Sequence, residues 1–234
     1  MREYILVTCE HGGNQVPLRY RPLFRGLQKS LRTHAGYDAG ALRMAREMAA
    51  AFAAPLVAST VTRLLVDLNR SLGHARLHAQ TVRAARHEER ARIIADHYLP
   101  YRTRAENFVG KAIARGRRVV HISSHSFTPE LNGKVRTADV GLLYDPARPG
   151  EVQLCERWKA ALERDMPQLR VRRNYPYAGK GDGLTRHLRS RYRPAAYIGV
   201  ELEINQAIAG GPPRRWNALR AAIIDALRAA LASH

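Results

Sequence analysis

Short apolar runs alternate along this chain with longer stretches whose apolar positions recur every three or four residues. The short runs predict strands at 4–9, 55–59, 64–68, 118–123, 138–144, 169–172 and 196–204. Helical spacing predicts helices over 39–53, over 81–115 with a break near Pro100, over 151–164 and 184–191, and over an amphipathic terminal stretch, 214–233. Strands and helices in alternation predict an α/β fold with a largely parallel or mixed sheet covered by helices. With no internal repeat and no low-complexity stretch across 1–234, we expect a single domain. No run approaches the ~20 apolar residues of a membrane span, and the N-terminus enters a strand without a basic leader, so a cytoplasmic protein is expected.

Polar residues with chemical capacity sit where open α/β sheets usually place their sites, at strand ends. Glu201 and Glu203 lie two apart inside the apolar run 195–204, so both carboxylates share a face and need something positive opposite. His121, Ser123 and His125 share a face in the same way. His11 follows the first strand and precedes Gly12-Gly13, which permit a sharp turn and a close backbone approach. Two histidines from separate strands plus a carboxylate would match a catalytic zinc site with three protein ligands and one open position. The same residues also read as a surface histidine in a glycine turn and a hydrogen-bonded core cluster.

Asp67-Leu68-Asn69-Arg70 ends another run, and an arginine held by Asp and Asn neighbours suits bidentate grip of a carboxylate; a salt-bridged strand end is the plainer reading. Asn174-Tyr175-Pro176-Tyr177 is a rigid aromatic loop that could wall a pocket, and His97, Tyr98 and Tyr101 mark the break in the long helical region. No P-loop or dinucleotide fingerprint is present, and Ser123, Ser124 and Ser126 lack a nucleophile elbow. The net charge of +19 raises nucleic acid as a partner, but the 34 arginines are scattered over helices without a recognisable binding motif, which argues against it. Cys9 and Cys155 stand in dissimilar contexts and suggest neither a disulfide nor a thiolate site.

In order, Cys9-Glu10-His11-Gly12-Gly13-Asn14-Gln15-Val16-Pro17, the His34/Asp38 pair, Asp67-Leu68-Asn69-Arg70, His97-Tyr98 to Tyr101, Ser124-His125-Ser126-Phe127, Asn174-Tyr175-Pro176-Tyr177 and Leu202-Glu203-Ile204 resemble the N-formylglutamate amidohydrolase family over nearly the whole chain. That family is distantly similar to zinc carboxypeptidases and aspartoacylases. The resemblance implies a three-layer α/β/α fold with a mixed central sheet, of phosphorylase/hydrolase-like type. It also implies hydrolysis of N-formyl-L-glutamate to formate and glutamate, a step of histidine degradation.

The resemblance further implies roles. His11 and His125 would hold Zn2+ or another divalent metal, and Glu203 would be the general base toward the attacking water, with Arg70 gripping a substrate carboxylate. The carboxypeptidase-like pattern His-x-x-Glu would put a glutamate at position 14, where this chain has Asn14. Asp38 is then the first choice for the third ligand, ahead of Glu10, which would point away from His11 if the strand continued through both. Asn14, Asp67, Asn69, Tyr98, Ser126, Asn174 and Tyr177 would contact substrate. Glu201 would be a further catalytic group, a partner for an arginine, or a residue orienting a ligand histidine. The partner expected is a small acidic molecule; the sequence carries no sign of oligomeric state. A zinc hydrolase of another acidic amide or peptide, or a basic binding protein without catalysis, are the alternatives.

Overall fold

The computed structural model describes residues 3–232. Its main sheet has six strands: β1 (Glu3–Cys9), β2 (Leu56–Ala58), β3 (Arg118–Phe127), β6 (Val140–Leu143), β7 (Val171–Arg173) and β8 (Tyr197–Asn205). The two-residue strands β4 (Glu130–Leu131) and β5 (Lys134–Val135) form a separate hairpin. Strand order in the main sheet is β2-β1-β3-β8-β6-β7. The first four run parallel and β6 is antiparallel to β8, so the sheet is mixed, as the sequence predicts.

Central β3 is buried almost end to end, which explains its near-continuous apolar reading. One face carries Val120 and Ile122 beside Val7, Val200 and Leu202, and packs on the helices Ala41–Ala51, Pro149–Asp165 and Pro213–Ala232. Full burial of each such side chain contributes about 1.5–3 kcal/mol. Trp158 is wholly enclosed between two of these helices and donates its indole N–H to the Ile223 carbonyl, 3.1 Å away. The opposite face, covered by the helices Leu99–Ala114 and Leu184–Arg191, presents Thr8, His121, Ser123, His125, Glu201 and Glu203 toward the strands' carboxyl ends. The histidines and carboxylates of β3 and β8 are thus confined to one face, and that confinement positions the site.

Three expectations change. Residues 64–68 form no strand: the Leu65 N–H bonds Thr62 O, the Asp67 N–H bonds Leu77 O, and Leu65, Val66 and Leu68 are buried in a loop packed on the second face. β3 runs four residues past the predicted end because Ser124–Phe127 pair with Leu202–Asn205 of β8. The predicted helix 81–115 is broken earlier, into Gln80–Arg83, His87–Ile93, a widened turn at Ile94–Tyr98 and Leu99–Ala114. Pro100 follows directly on the widened turn, at the second residue of the last of these. The predicted end of the terminal helix at Ser233 lies outside the described residues. No helix among the described residues is long and apolar enough to cross a membrane.

Candidate metal centre

Gly12 and Gly13 fix the turn that carries His11. A Cβ on Gly12 would lie 2.8 Å from the Ser59 carbonyl oxygen, and one on Gly13 would lie 2.6 Å from that of Thr60. Only glycine lets the chain leave β1 flat against the 59–60 segment. Asp38, on the approach to the helix Ala41–Ala51, is tied to the same turn by its backbone N–H, 2.9 Å from the His11 carbonyl oxygen. His125 comes from β3, and in the sheet register its neighbour on β8 is Glu203.

These three elements bring His11, Asp38 and His125 together, with one ligand atom from each inside 4.8 Å of the others, all buried. Asp38 Oδ2 lies 2.8 Å from His125 Nδ1 and 3.3 Å from His11 Nδ1, and the ring centroids are 5.1 Å apart. The far nitrogens meet other carboxylates: His11 Nε2 is 2.7 Å from Asp67 Oδ1, and His125 Nε2 is 3.1 Å from Glu10 Oε2. Arg63 donates to Asp67 Oδ2 at 2.8 Å and to Asp38 Oδ1 at 3.3 Å.

Burial would raise the pKa of each of these carboxyls, yet all three are held well below the usual range. Hydrogen bonds from His125 and Ser123 overcome burial at Glu10; His11, His125 and Arg63 do so at Asp38; Arg63 and His11 do so at Asp67. Arg63 thus serves Asp38 and Asp67, while Glu10 rests on His125 and Ser123. Burial lowers the pKa of His125, but Asp38 and Glu10 outweigh it and push the imidazole's pKa well up, so a proton offsets part of the excess negative charge. A divalent cation would offset more of it, and two imidazole nitrogens with a carboxylate oxygen are a donor set suited to zinc. The residues present fit such an ion.

Glu203 differs from its neighbours. It is buried, its Oε2 has no hydrogen-bond partner, and its pKa is raised to about 8 by burial, with Asp38 and Glu201 adding to the rise and His125 and Arg63 opposing it. A carboxyl poised near neutrality beside a cation-binding group can exchange protons at physiological pH. Beside the group lies a cavity of about 290 Å³, lined among others by Arg63, Asp67, Arg70, Arg76, His78 and Arg83.

The remaining predicted residues divide. Asp67 and Asn69 join the group: the Asn69 side-chain amide nitrogen is 3.4 Å from His125 Nε2, while its Oδ1 accepts the Leu184 N–H at 2.7 Å. Arg70 lines the cavity and donates to the Asp182 carbonyl at 2.7 Å; Tyr98 supports it from behind, donating to the Arg70 carbonyl at 2.8 Å. The Ser126 N–H is 3.4 Å from Asp38 Oδ2, and its hydroxyl donates to the Ala39 carbonyl. Glu201 accepts from the Thr185 hydroxyl at 2.7 Å and holds the start of a helix; its hydrogen bond goes neither to an arginine nor to a histidine. Asn14 donates to the Leu31 carbonyl, Asn174 accepts from the Tyr144 and Gly179 N–H groups, and Tyr177 accepts from Arg136; none of these contacts reaches the group. Arg63 is its unforeseen member, and Glu10, the second choice for a ligand, joins it beside His125 Nε2. The spacing of Arg63 four before Asp67 was the available signal, and it pointed the right way only for a turn or helix, not for the strand expected there.

Fold and group together define an α/β enzyme architecture with its polar centre at the carboxyl ends of the strands. The family model for N-formylglutamate amidohydrolase matches residues 4–209, and the chain belongs to that family. Among solved structures, a gene product from Agrobacterium tumefaciens is 29% identical with a TM-score of 0.83, over 98% of this chain and 90% of that one. N-formylglutamate amidohydrolase from Ralstonia eutropha JMP134 is 21% identical with a TM-score of 0.63, over 98% and 94%, and shares the fold. No curated protein matches the chain.

Proposed function

We propose that this protein hydrolyses the amide of N-formyl-L-glutamate, or of a closely related N-acyl acidic amino acid, with a divalent cation, zinc first, held by His11, Asp38 and His125. The observation that carries the reading is the donor set of these three residues beside Glu203, a buried carboxyl with an unpartnered oxygen. Bound there, the cation would supply Lewis-acid polarisation of the amide carbonyl and acidify a water. Glu203 takes a proton from the attacking water and returns it to the departing amine nitrogen, so that formate and the free amino acid leave. Arg63, which lines the cavity and touches Asp38 and Asp67, offsets negative charge developing on the carbonyl oxygen. Arg70 grips a carboxylate of the leaving amino acid.

Hydrolysis of a different acidic amide is the second reading, favoured by the other guanidiniums of the cavity, Arg76 and Arg83, which leave room for more than one anionic group. The test is release of the free amino acid, and of formate where the acyl group is formyl, from a panel of N-acyl amino acids by purified protein, after chelation and with zinc restored. Zinc-dependent release with a preference for N-formyl-L-glutamate is the expected result. Release from another member keeps the chemistry and changes the substrate, and no release with any divalent metal refutes the reading.

A further inference from the structure

Glu10 is a fully buried carboxylate for which the proposed reaction has no direct use. Both its oxygens are engaged: Oε1 accepts from the Tyr101 hydroxyl at 2.9 Å, and Oε2 accepts from the Ser123 hydroxyl at 2.7 Å and lies 3.1 Å from His125 Nε2, whose nearest neighbour is the same Ser123 oxygen at 2.9 Å. Without any solvent exposure it cannot meet substrate. Nor does it join the cation-binding atoms. Asp38 stands on the Nδ1 side of the His125 ring and Glu10 on the Nε2 side, so one ion could take both only if the ring turned over.

The two imidazoles are arranged alike. Each directs Nδ1 at Asp38 Oδ2, and each sets Nε2 against a separate buried carboxylate, Asp67 for His11 and Glu10 for His125. A ring that used Nε2 for the cation would give up the contact between that nitrogen and the buried carboxylate beside it. A carboxylate behind a ligand histidine also makes the ring a stronger donor and fixes its tautomer.

We propose that Glu10 is the positioning residue of the centre: by accepting the hydrogen bond of the Ser123 hydroxyl it leaves that oxygen to accept the Nε2–H of His125, and with its own carboxylate beside the same nitrogen it keeps the proton there and presents Nδ1 to the cation, while Tyr101 holds Glu10 in place. The inference rests on the metal reading given above. It also ties the centre to the helix Leu99–Ala114, which supplies Tyr101, and so makes ion affinity depend on a helix that contributes no ligand.

The test uses metal-free full-length protein titrated with Zn2+ or Co2+ against a competing chelator, together with nitrogen NMR of the histidine rings. The wild-type protein should show His125 with the metal on Nδ1 and the proton on Nε2. Glu10→Gln should weaken binding by about 10- to 100-fold and shift the visible bands of bound Co2+. Tyr101→Phe, which leaves the charge but removes one anchor, should weaken it less. If Glu10→Gln does not fold, the wild-type ring spectrum and Tyr101→Phe still decide. Metal on Nε2 of His125, or unchanged affinity and Co2+ bands in both variants, would overturn the inference. No binding by the wild-type protein would overturn the metal reading as well.

Discussion

Replacing Glu203 by Gln should make the protein inactive and, in its metal-free form, more stable. The side chain is buried and keeps one oxygen without a partner, and its pKa lies at about 8 against an ordinary 4.5. Between those values the folded protein holds a proton that the unfolded chain has released. Wild-type stability therefore falls as pH rises from 4.5 toward 8, with the loss near complete above that range. At pH 7 the accumulated cost is about 3 kcal/mol at 1.36 kcal/mol per unit. Glutamine has the same shape and does not titrate, so the variant escapes that cost. Urea unfolding of chelated protein at several pH values should show the two proteins close near pH 4.5 and the variant ahead by about 3 kcal/mol near pH 7. Turnover of the zinc-loaded variant should fall by about 10² to 10⁴, the usual worth of a general base, with zinc retained. A stability difference that stays flat with pH would refute the account of the raised pKa. Unchanged turnover would refute the assignment of the base.

Arg70→Lys keeps the charge and loses the planar fork, so KM for acidic substrates should rise by about tenfold, the loss of one charge-assisted hydrogen bond, with little change for neutral analogues; equal effects on both would show that Arg70 is not the clamp. Gly13→Ala would set a methyl group 2.6 Å from the Thr60 carbonyl oxygen and 2.8 Å from Thr60 Cα, so the turn carrying His11 must shift; a loss of about 1–3 kcal/mol, read as a lower Tm together with weaker zinc binding, is expected, and an unchanged Tm would show the turn can yield. His121, enclosed between the hydroxyls of Thr8 and Tyr197, has its pKa lowered by burial from 6.5 to about 4. It stays neutral on folding, so its contribution is complete above 6.5 and is lost as pH falls toward 4. Wild type should lose about 3 kcal/mol more than His121→Asn over that range, and parallel pH profiles of the urea midpoint would refute this.

The sheet was legible because its strands are short apolar runs punctuated by residues that an apolar strand does not tolerate idly. His125 and Glu203 could be selected on that ground, and alternation correctly set His121, Ser123 and His125 on one face. The loop 62–70 was not legible, because Leu65, Val66 and Leu68 are buried in turns whose hydrogen bonds are local or go singly to Gln15, Gly36, Leu77 and Ala79, and burial alone writes the same pattern as a strand. Arg63 was hidden by abundance, one arginine among 34. Glu10 was ranked second on the expectation that the strand ran through both it and His11; β1 ends at Cys9, both residues lie in the turn that follows, and both reach the His125 group. Asn174 and Tyr177 have polar chemistry but spend it on holding loops, a distinction that depends on neighbours far along the chain.

The departure at position 14 has a structural counterpart. A ligand three residues after His11 would come from the same turn, and its oxygen would be fixed by that turn alone. Here the Asn14 amide anchors the Leu31 carbonyl instead, and the carboxylate beside the two imidazoles is Asp38. Asp38 is bound to the His11 turn through its backbone, to β3 through Ser126 and to the 62–70 loop through Arg63. A cation taken up here would therefore cross-link three separate parts of the chain, and its binding energy would become folding energy for all of them. In its absence the same carboxylate is held by a protonated imidazole and one guanidinium, so the group remains assembled at the cost of buried charge. On the metal reading proposed above, a divalent ion bound where the two Nδ1 atoms converge on Asp38 would take over from the imidazole's proton the task of offsetting that buried charge.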